Sequence, residues 1–327
     1  MEAVKTGYRV LYNQKDITEN VVDKYLISLT YSDRTEGESD ELSLTLENVD
    51  KLWEHNWYPR KGDALQAWID DMFCGVFEID DIELNLQPAT FTIRALATSF
   101  LNKSIRTKRS AAHEDKTLFQ IVNSYAQKNG FKLLDNIRKN IVIKRETQNN
   151  ETDLSFLKKL SDKYGYVFSV RGDQLIFYDI FALEDSAPVL DLAPGNFKSG
   201  SFRDKVSELY KGAEVSYHNS KTGEVVAAAV DAEEDNGSSD VLEIRKKVEN
   251  KGQAEEMAKS ELYKKNSEKV TCSVSMIGNK NIVSGINFRM LDAGNFEGIY
   301  HVKNSTHSIT RDGGYVTSFD AKKVKDA

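Results

Sequence analysis

Two cysteines and four prolines in 327 residues leave little room for a disulfide framework or a proline-rich linker. Cys74 and Cys272 stand far apart, both in strand-like runs, and the expectation is two free, buried thiols in a protein made in a reducing cytosol. No apolar run approaches the roughly 20 residues of a membrane span, and no charged-then-apolar leader pattern opens the chain, so no membrane association is expected. Positive charge is also in short supply. A formal net charge of -7 argues against a general nucleic-acid surface, because phosphate contacts require clustered Lys and Arg. The one basic run, Arg106-Thr107-Lys108-Arg109, is short and reads as a solvated loop or interface charge.

Strings that carry chemistry are missing as well. Nucleophile elbows, zinc-protease helices, phosphate-cradling loops and dinucleotide fingerprints need fixed residues at fixed spacing, and none occurs. A glycosidase needs only two carboxylates placed by the fold, and among 51 acidic residues a pair can always be imagined, so no catalytic residue is assigned. His301 and His307 lie six apart, yet no further ligand of similar quality stands nearby, and neither a metal nor a cofactor is expected. Trp53 and Trp57, with Trp68 beyond, read first as core or loop packing, then as a protein interface, and last as a sugar platform.

What remains is rich in 14 Tyr and 15 Phe and patterned for strands. From Tyr8 to about Asn102, Tyr25, Ile27, Leu29 and Tyr31 alternate with polar partners, as do Leu42, Leu44 and Leu46; further runs at Ala64 to Ile69, Phe73 to Ile79, Ile82 to Leu86 and Phe91 to Ala95 suit a barrel or sandwich. Near residue 104 the period changes. Asp115 can cap a helix with Leu118, Ile121, Val122 and Tyr125 on one face, ended by Asn129-Gly130, and a second helix carries Leu154, Leu157, Leu160 and Tyr164 before Gly165. Two strands follow, Tyr166 to Val170 and Gln174 to Tyr178. After Ala193-Pro194-Gly195-Asn196 strands resume, and one helix interrupts them, with Asn250 and Gln253 at capping-box spacing and Ala254, Met257, Ala258 and Leu262 as a narrow stripe. Asp231 to Asp240 reads as an acidic, mobile loop tip. The last strands alternate at Tyr315, Thr317, Phe319 and Ala321 after an Asp312-Gly313-Gly314 turn.

Four stretches taken in order carry a resemblance: YSDRTEGESDELSLTL from Tyr31 to Leu46, KTLFQIVNSYAQKNG from Lys116 to Gly130, QNNETDLSFLKKLSDKYGYVFSVRGDQLIF from Gln148 to Phe177, and the C-terminal run with Gly285, Gly298-Ile299-Tyr300-His301-Val302, His307 and Gly313-Gly314-Tyr315. The third is the most specific. Together they resemble the late control D family of phage tail proteins, the baseplate hub family that includes the N-terminal part of type VI secretion spike proteins. No extended β-helix, glycine-rich needle or lysozyme-like domain follows, so any spike is expected to be another polypeptide.

The resemblance implies a β-rich α+β fold in which two tube-like antiparallel β-barrel domains, 1–103 and 196–327, flank a small α/β domain, 104–195, with a helix at about 251–266 inserted in the second barrel. It implies a homotrimer whose six barrels form a pseudo-sixfold ring, joining the tail tube protein to the tail spike protein among other baseplate proteins of a contractile phage tail or phage-like injection particle. Such a particle is assembled in the bacterial host cytoplasm, and DNA or cargo passes through the hub without specific binding. The role is structural rather than enzymatic. A cell-wall or glycan hydrolase and a carbohydrate-binding tail adhesin are the competing readings. Family match and charged, hairpin-like character nominate Asp33, Arg34, Ser39, Asp40, Glu41 and Leu42 as interface residues. The acidic balance suits a conduit for an anionic cargo.

Overall fold

In the computed structural model, residues 7–326 are described apart from 35–38, 56, 98–104, 106, 138–140, 172, 219–224, 233–235, 247 and 249. The first β-rich stretch contains β1 (Tyr8–Tyr12), β2 (Lys15–Asp16), β3 (Leu26–Arg34), β4 (Glu41–Glu47), β5 (Ala64–Ile69), β6 (Met72–Leu86) and β7 (Ala89–Leu96). In β4 every second residue, Leu42, Leu44 and Leu46, is buried, which is the alternation of a strand with one face in a core. The two runs read around Asp80 are one strand. β6 continues through them and takes up the break as a register shift between Ile79 and Asp81.

The middle stretch holds β8 (Arg109–Thr117), α1 (Leu118–Lys128), β9 (Lys132–Asn136), β10 (Val142–Glu151), α2 (Asp153–Tyr164), β11 (Tyr166–Arg171), β12 (Gln174–Asp179) and the short α3 (Ile180–Glu184). Thr117, not Asp115, caps α1: its hydroxyl accepts the Gln120 N–H at 3.2 Å while Gln120 Oε1 accepts the Thr117 N–H at 2.9 Å. Asp115 lies inside β8 with a positive φ of 50°. Gly165 ends α2 in the left-handed conformation at φ 76°, where a side chain would be strained. The β8–β10 pair escapes the sequence reading because both strands are polar on both faces and bury little beyond His113, Ile143 and Gln148.

The last stretch runs through β13 (Leu190–Leu192), β14 (Phe197–Asp204), β15 (Gly212–His218), β16 (Val225–Asp231), β17 (Val241–Ile244), α4 (Lys251–Asn266), β18 (Val270–Ile277), β19 (Asn287–Met290), β20 (Gly298–Thr310) and β21 (Gly314–Lys325). Asn250 caps α4 by accepting the Gln253 N–H at 2.9 Å. The small residues of the stripe, Ala254 and Ala258, let α4 lie close on β15 and β16, which form a separate sheet with β17. The acidic loop is anchored where it is described: Asn236 is buried, its amide donates to Tyr210 O, and the Ser238 hydroxyl donates to Leu209 O.

One 13-stranded sheet takes strands from both β-rich stretches, in the order β14-β18-β21-β20-β3-β4-β7-β6-β5-β1-β2, with β19 on β20 and β13 on β19. The joint is β3 against β20, antiparallel, with Ser28 opposite Thr310 and Arg34 opposite Asn304. Two separate hydrophobic cores lie under this sheet, one around Leu44, Leu46, Phe77 and Phe91, the other around Phe288, Tyr300, Val302 and Phe319. Cys74 borders the first and Cys272 lies in the second, both free and buried. Among the described residues no helix is long and apolar enough to cross a membrane.

Candidate functional site

The six residues nominated as an interface have different surroundings. Asp33 is buried at the β3–β20 joint and accepts from the Ser284 backbone N–H at 2.9 Å and the Ser284 hydroxyl at 2.5 Å. Asp40 is buried too: its carboxylate accepts the Arg34 N–H at 3.0 Å and its carbonyl accepts the Ala97 N–H. Leu42 belongs to the first core, whereas Arg34, Ser39 and Glu41 are half-buried and reach the surface. The acidic residues of this motif thus hold the chain's own fold before they hold any partner.

Next to Asp33, His307 secures the same 278–286 loop. A carbonyl can only accept, so His307 Nε2–H donates to Ile282 O at 2.9 Å, and Nδ1 of the neutral ring accepts from the Tyr315 hydroxyl at 2.7 Å. Burial lowers the pKa of this ring and favours its neutral form, against the raising effect of the Ile282 bond. Its face stacks on Tyr31 of β3. Further along β20, His301 Nδ1 donates to Asn287 Oδ1 at 2.7 Å, and Asn287 Nδ2 donates to the carbonyls of Glu184 and Ser186 at 2.9 and 2.7 Å. A buried ion pair, Lys322 with Glu184 at 2.8 Å, completes the clasp between α3 and the main sheet. Burial, with the Lys322 charge adding to it, pushes His301 down to about 4.

The most specific sequence block owes its pattern to a third buried cluster. Gln148 and Asp153 are fully buried, and Gln148 Nε2 donates to Asp153 Oδ1 at 2.9 Å. Tyr125 OH donates to Gln148 Oε1 at 2.8 Å, Asn129 Nδ2 donates to Asp153 Oδ2 at 3.1 Å, and Lys128 stands 3.2 Å from the same carboxylate. Arg109, the end of the basic run, approaches Asp153 at 3.6 Å. Asp153 is also the first residue of α2, where a negative charge meets the positive end of the helix dipole. The cluster joins α1, α2 and β10.

Trp53 is core: its indole N–H donates to Glu47 O at 3.0 Å and its ring stacks on Phe91. Trp57 and Tyr58 remain exposed, which leaves the adhesin reading one tryptophan of its pair. Among the described residues no group of three or more His, Cys, Asp or Glu is arranged to hold a metal ion.

One large surface was not singled out in the sequence. Residues opposed in register share a face of a sheet, and across the main sheet one row reads Ser199, Ser275, Ser318, Thr306, Ser32 and Glu41. The adjacent rows read Ser308, Thr30, Ser43 and Arg94, then Thr310, Ser28, Thr45 and Thr92. Hydroxyls touch across strands, Thr30 with Ser308 at 3.3 Å and Thr45 with Thr92 at 3.2 Å. Arg94 is neutralised by Asp81 at 2.8 Å and Glu83 at 2.7 Å. The result is a hydroxyl-rich face across β14, β18, β21, β20, β3, β4 and β7, opposite both cores; at its Lys322 end it passes under α3.

No protein-family model matches the chain. Over 178 residues it is 30% identical to a protein named probable baseplate hub protein of Escherichia phage 186, a match spanning 52% of this chain and 44% of that relative. The chain resembles phage baseplate hub proteins. The chain thus aligns with less than half of its hub relative's length. The 43 kDa tail protein of prophage MuSo2 from Shewanella oneidensis has the same fold, with a TM-score of 0.76 at 13% identity over 97% of this chain and 98% of that one. A type VI secretion system component, the E. coli c3393 protein, superposes with a TM-score of 0.56 at 12% identity, over 92% of this chain and 74% of its own. This β-rich tail-protein fold is therefore common to phage tail proteins and a secretion component.

Proposed function

We propose that the chain is the structural baseplate hub of a contractile phage tail or phage-like injection particle. Three copies form a pseudo-sixfold ring that joins a sixfold tail tube to a threefold spike and has no catalytic role. The observation that carries this reading is the hydroxyl-rich face. It runs from one β-rich stretch to the other, and its arginines, Arg34, Arg94 and Arg203, are interspersed with Glu41, Asp320 and the Asp81 and Glu83 that neutralise Arg94. A wall of short hydroxyls is wetted, and its few basic groups stand among carboxylates rather than in an array that would hold phosphates, so DNA or another polyanion moves past it without being bound. The two separate cores under one sheet support two barrel units, 1–103 and 196–327, around a middle unit at 104–195.

In this ring Arg34, Ser39 and Glu41 provide polar contacts between subunits, and the exposed edge strand β14 is covered by a neighbour, since an open strand edge is a template for pairing. Spike, tube and other baseplate proteins are the partners, and assembly takes place in the bacterial host cytoplasm. The test is mass by light scattering on the purified chain, alone and with its spike, followed by negative-stain imaging. A mass near three subunits and ring-shaped particles are expected. A monomer that persists at high concentration in the presence of the spike would overturn the ring.

A further inference from the structure

A cleft of about 190 Å³ opens where α2, α3, α4, β20 and β21 meet, at the end of the hydroxyl-rich face that passes under α3. Four ammonium groups line it, from Lys158, Lys264, Lys303 and Lys322, against two lining carboxylates, Asp162 and Glu268, and Glu184 behind them, which pairs with Lys322 at 2.8 Å. Asp162 serves two of the four at once, Lys158 at 3.0 Å and Lys264 at 3.4 Å, so its charge is shared. Glu268 is held below the usual carboxylate range first by its hydrogen bond from Lys303, with Lys205 and Lys322 adding to the field. Four ammonium groups against three carboxylates leave an excess of one positive charge, carried by the Lys158–Asp162–Lys264 group.

A second observation is independent of charge. Ser260 of α4 lines the cleft, is 4% exposed, and its buried hydroxyl has no hydrogen-bond partner among the described residues. A helical serine ordinarily donates to the carbonyl one turn back, and an unpaired buried hydroxyl is destabilising. Opposite it lies Gly165, where a Cβ would come within 3.2 Å of Ser260 Oγ, so the glycine keeps the space in front of the hydroxyl open.

We propose that this cleft binds a small oxyanion, a phosphate or a carboxylate, with the lysine ammonium groups and the Ser260 hydroxyl as donors. Bound there, the ion links α2 and α3 of the middle stretch to α4 and to the main sheet, and it stabilises that junction. The site does not depend on the ring reading, because it lies within one chain.

The test uses the full-length chain. Inorganic phosphate and malonate are titrated separately at ionic strength held constant with chloride, with Tm and, for phosphate, the 31P line width as readouts. A saturable rise in Tm is expected with one of the two, and the anion that saturates at lower concentration names the class. Ser260→Ala is expected to fold with unchanged or higher Tm in chloride, because it removes an unpaired group, yet to raise the apparent Kd about tenfold. Lys303→Met is expected to weaken binding further. No saturable rise with either anion, or equal rises in wild type and Ser260→Ala, would overturn the proposal.

Discussion

The carboxylate of Asp33 in β3 accepts two hydrogen bonds from Ser284, 251 positions further along the chain, at the joint where strands from the two β-rich stretches pair. It lies between the two hydrophobic cores and holds the loop that also receives His307. A buried carboxylate acceptor with matched donors gives this joint a directional stiffness that apolar packing does not.

Replacing Asp33 with Ala removes the carboxylate that accepts from the Ser284 N–H and hydroxyl. We expect a loss of about 3 kcal/mol, less for Ser284→Ala, and a double variant much less destabilised than the sum. Urea unfolding of the three variants measures this; strict additivity would mean that the pair is not coupled.

Asp153→Ala removes a buried acceptor shared by Gln148, Asn129 and Lys128. The expected cost is about 3–5 kcal/mol, because donors and a cation lose their counter-charge together. Loss of soluble yield or a large fall in the urea midpoint would register it, and a near-neutral Asp153→Ala would show that water replaces the carboxylate.

Acid should weaken the fold through its buried histidines. Burial holds His301 neutral in the native state and pushes it down to about 4, against 6.5 for a free imidazole. As pH falls from 6.5 toward 4 the unfolded chain therefore binds the extra proton and the native chain does not, so stability falls by about 1.4 kcal/mol per pH unit in that window. Burial lowers His307 and His113 as well, and they act in the same direction. His301→Gln keeps a hydrogen-bonding group toward Asn287, and its urea midpoint should decline less steeply between pH 6.5 and 4.5 than that of the wild type.

Burial pushes both thiols up to about 12. At pH 8 neither Cys74 nor Cys272 should react with a disulfide reagent over minutes, and both should titrate once urea unfolds the chain. Rapid labelling of one thiol in the native state would reveal local opening of the main sheet around it.

Much of the local structure was legible before the fold. Periods of two and of 3.6 placed β4, α1, α2, α4 and the final hairpin, because each buries one face and repeats its apolar residues accordingly. The cap of α1 was misread by two residues, since Asp115 and Thr117 both suit the position and only the geometry of Gln120 selects Thr117. The strands β8 and β10 left no apolar pattern at all, as their partners are polar and distant in sequence.

The sequence by itself determined which short stretches fold locally, that two free thiols are buried, and which family the ordered blocks resemble. Tertiary structure decided the rest. Ser28, Thr30 and Ser32 alternate in the sequence as any half-buried strand does, but only the register of seven strands sets them beside Ser43, Thr45, Thr306 and Ser318 as one surface. The same holds for Asp33, read as a surface contact from its charged neighbours and found buried, and for the four lysines of the cleft, which lie on α2, α4, β20 and β21. Local propensity acts over a few residues, whereas a shared face, a buried charge pair and a cleft depend on which distant segments the chain brings together.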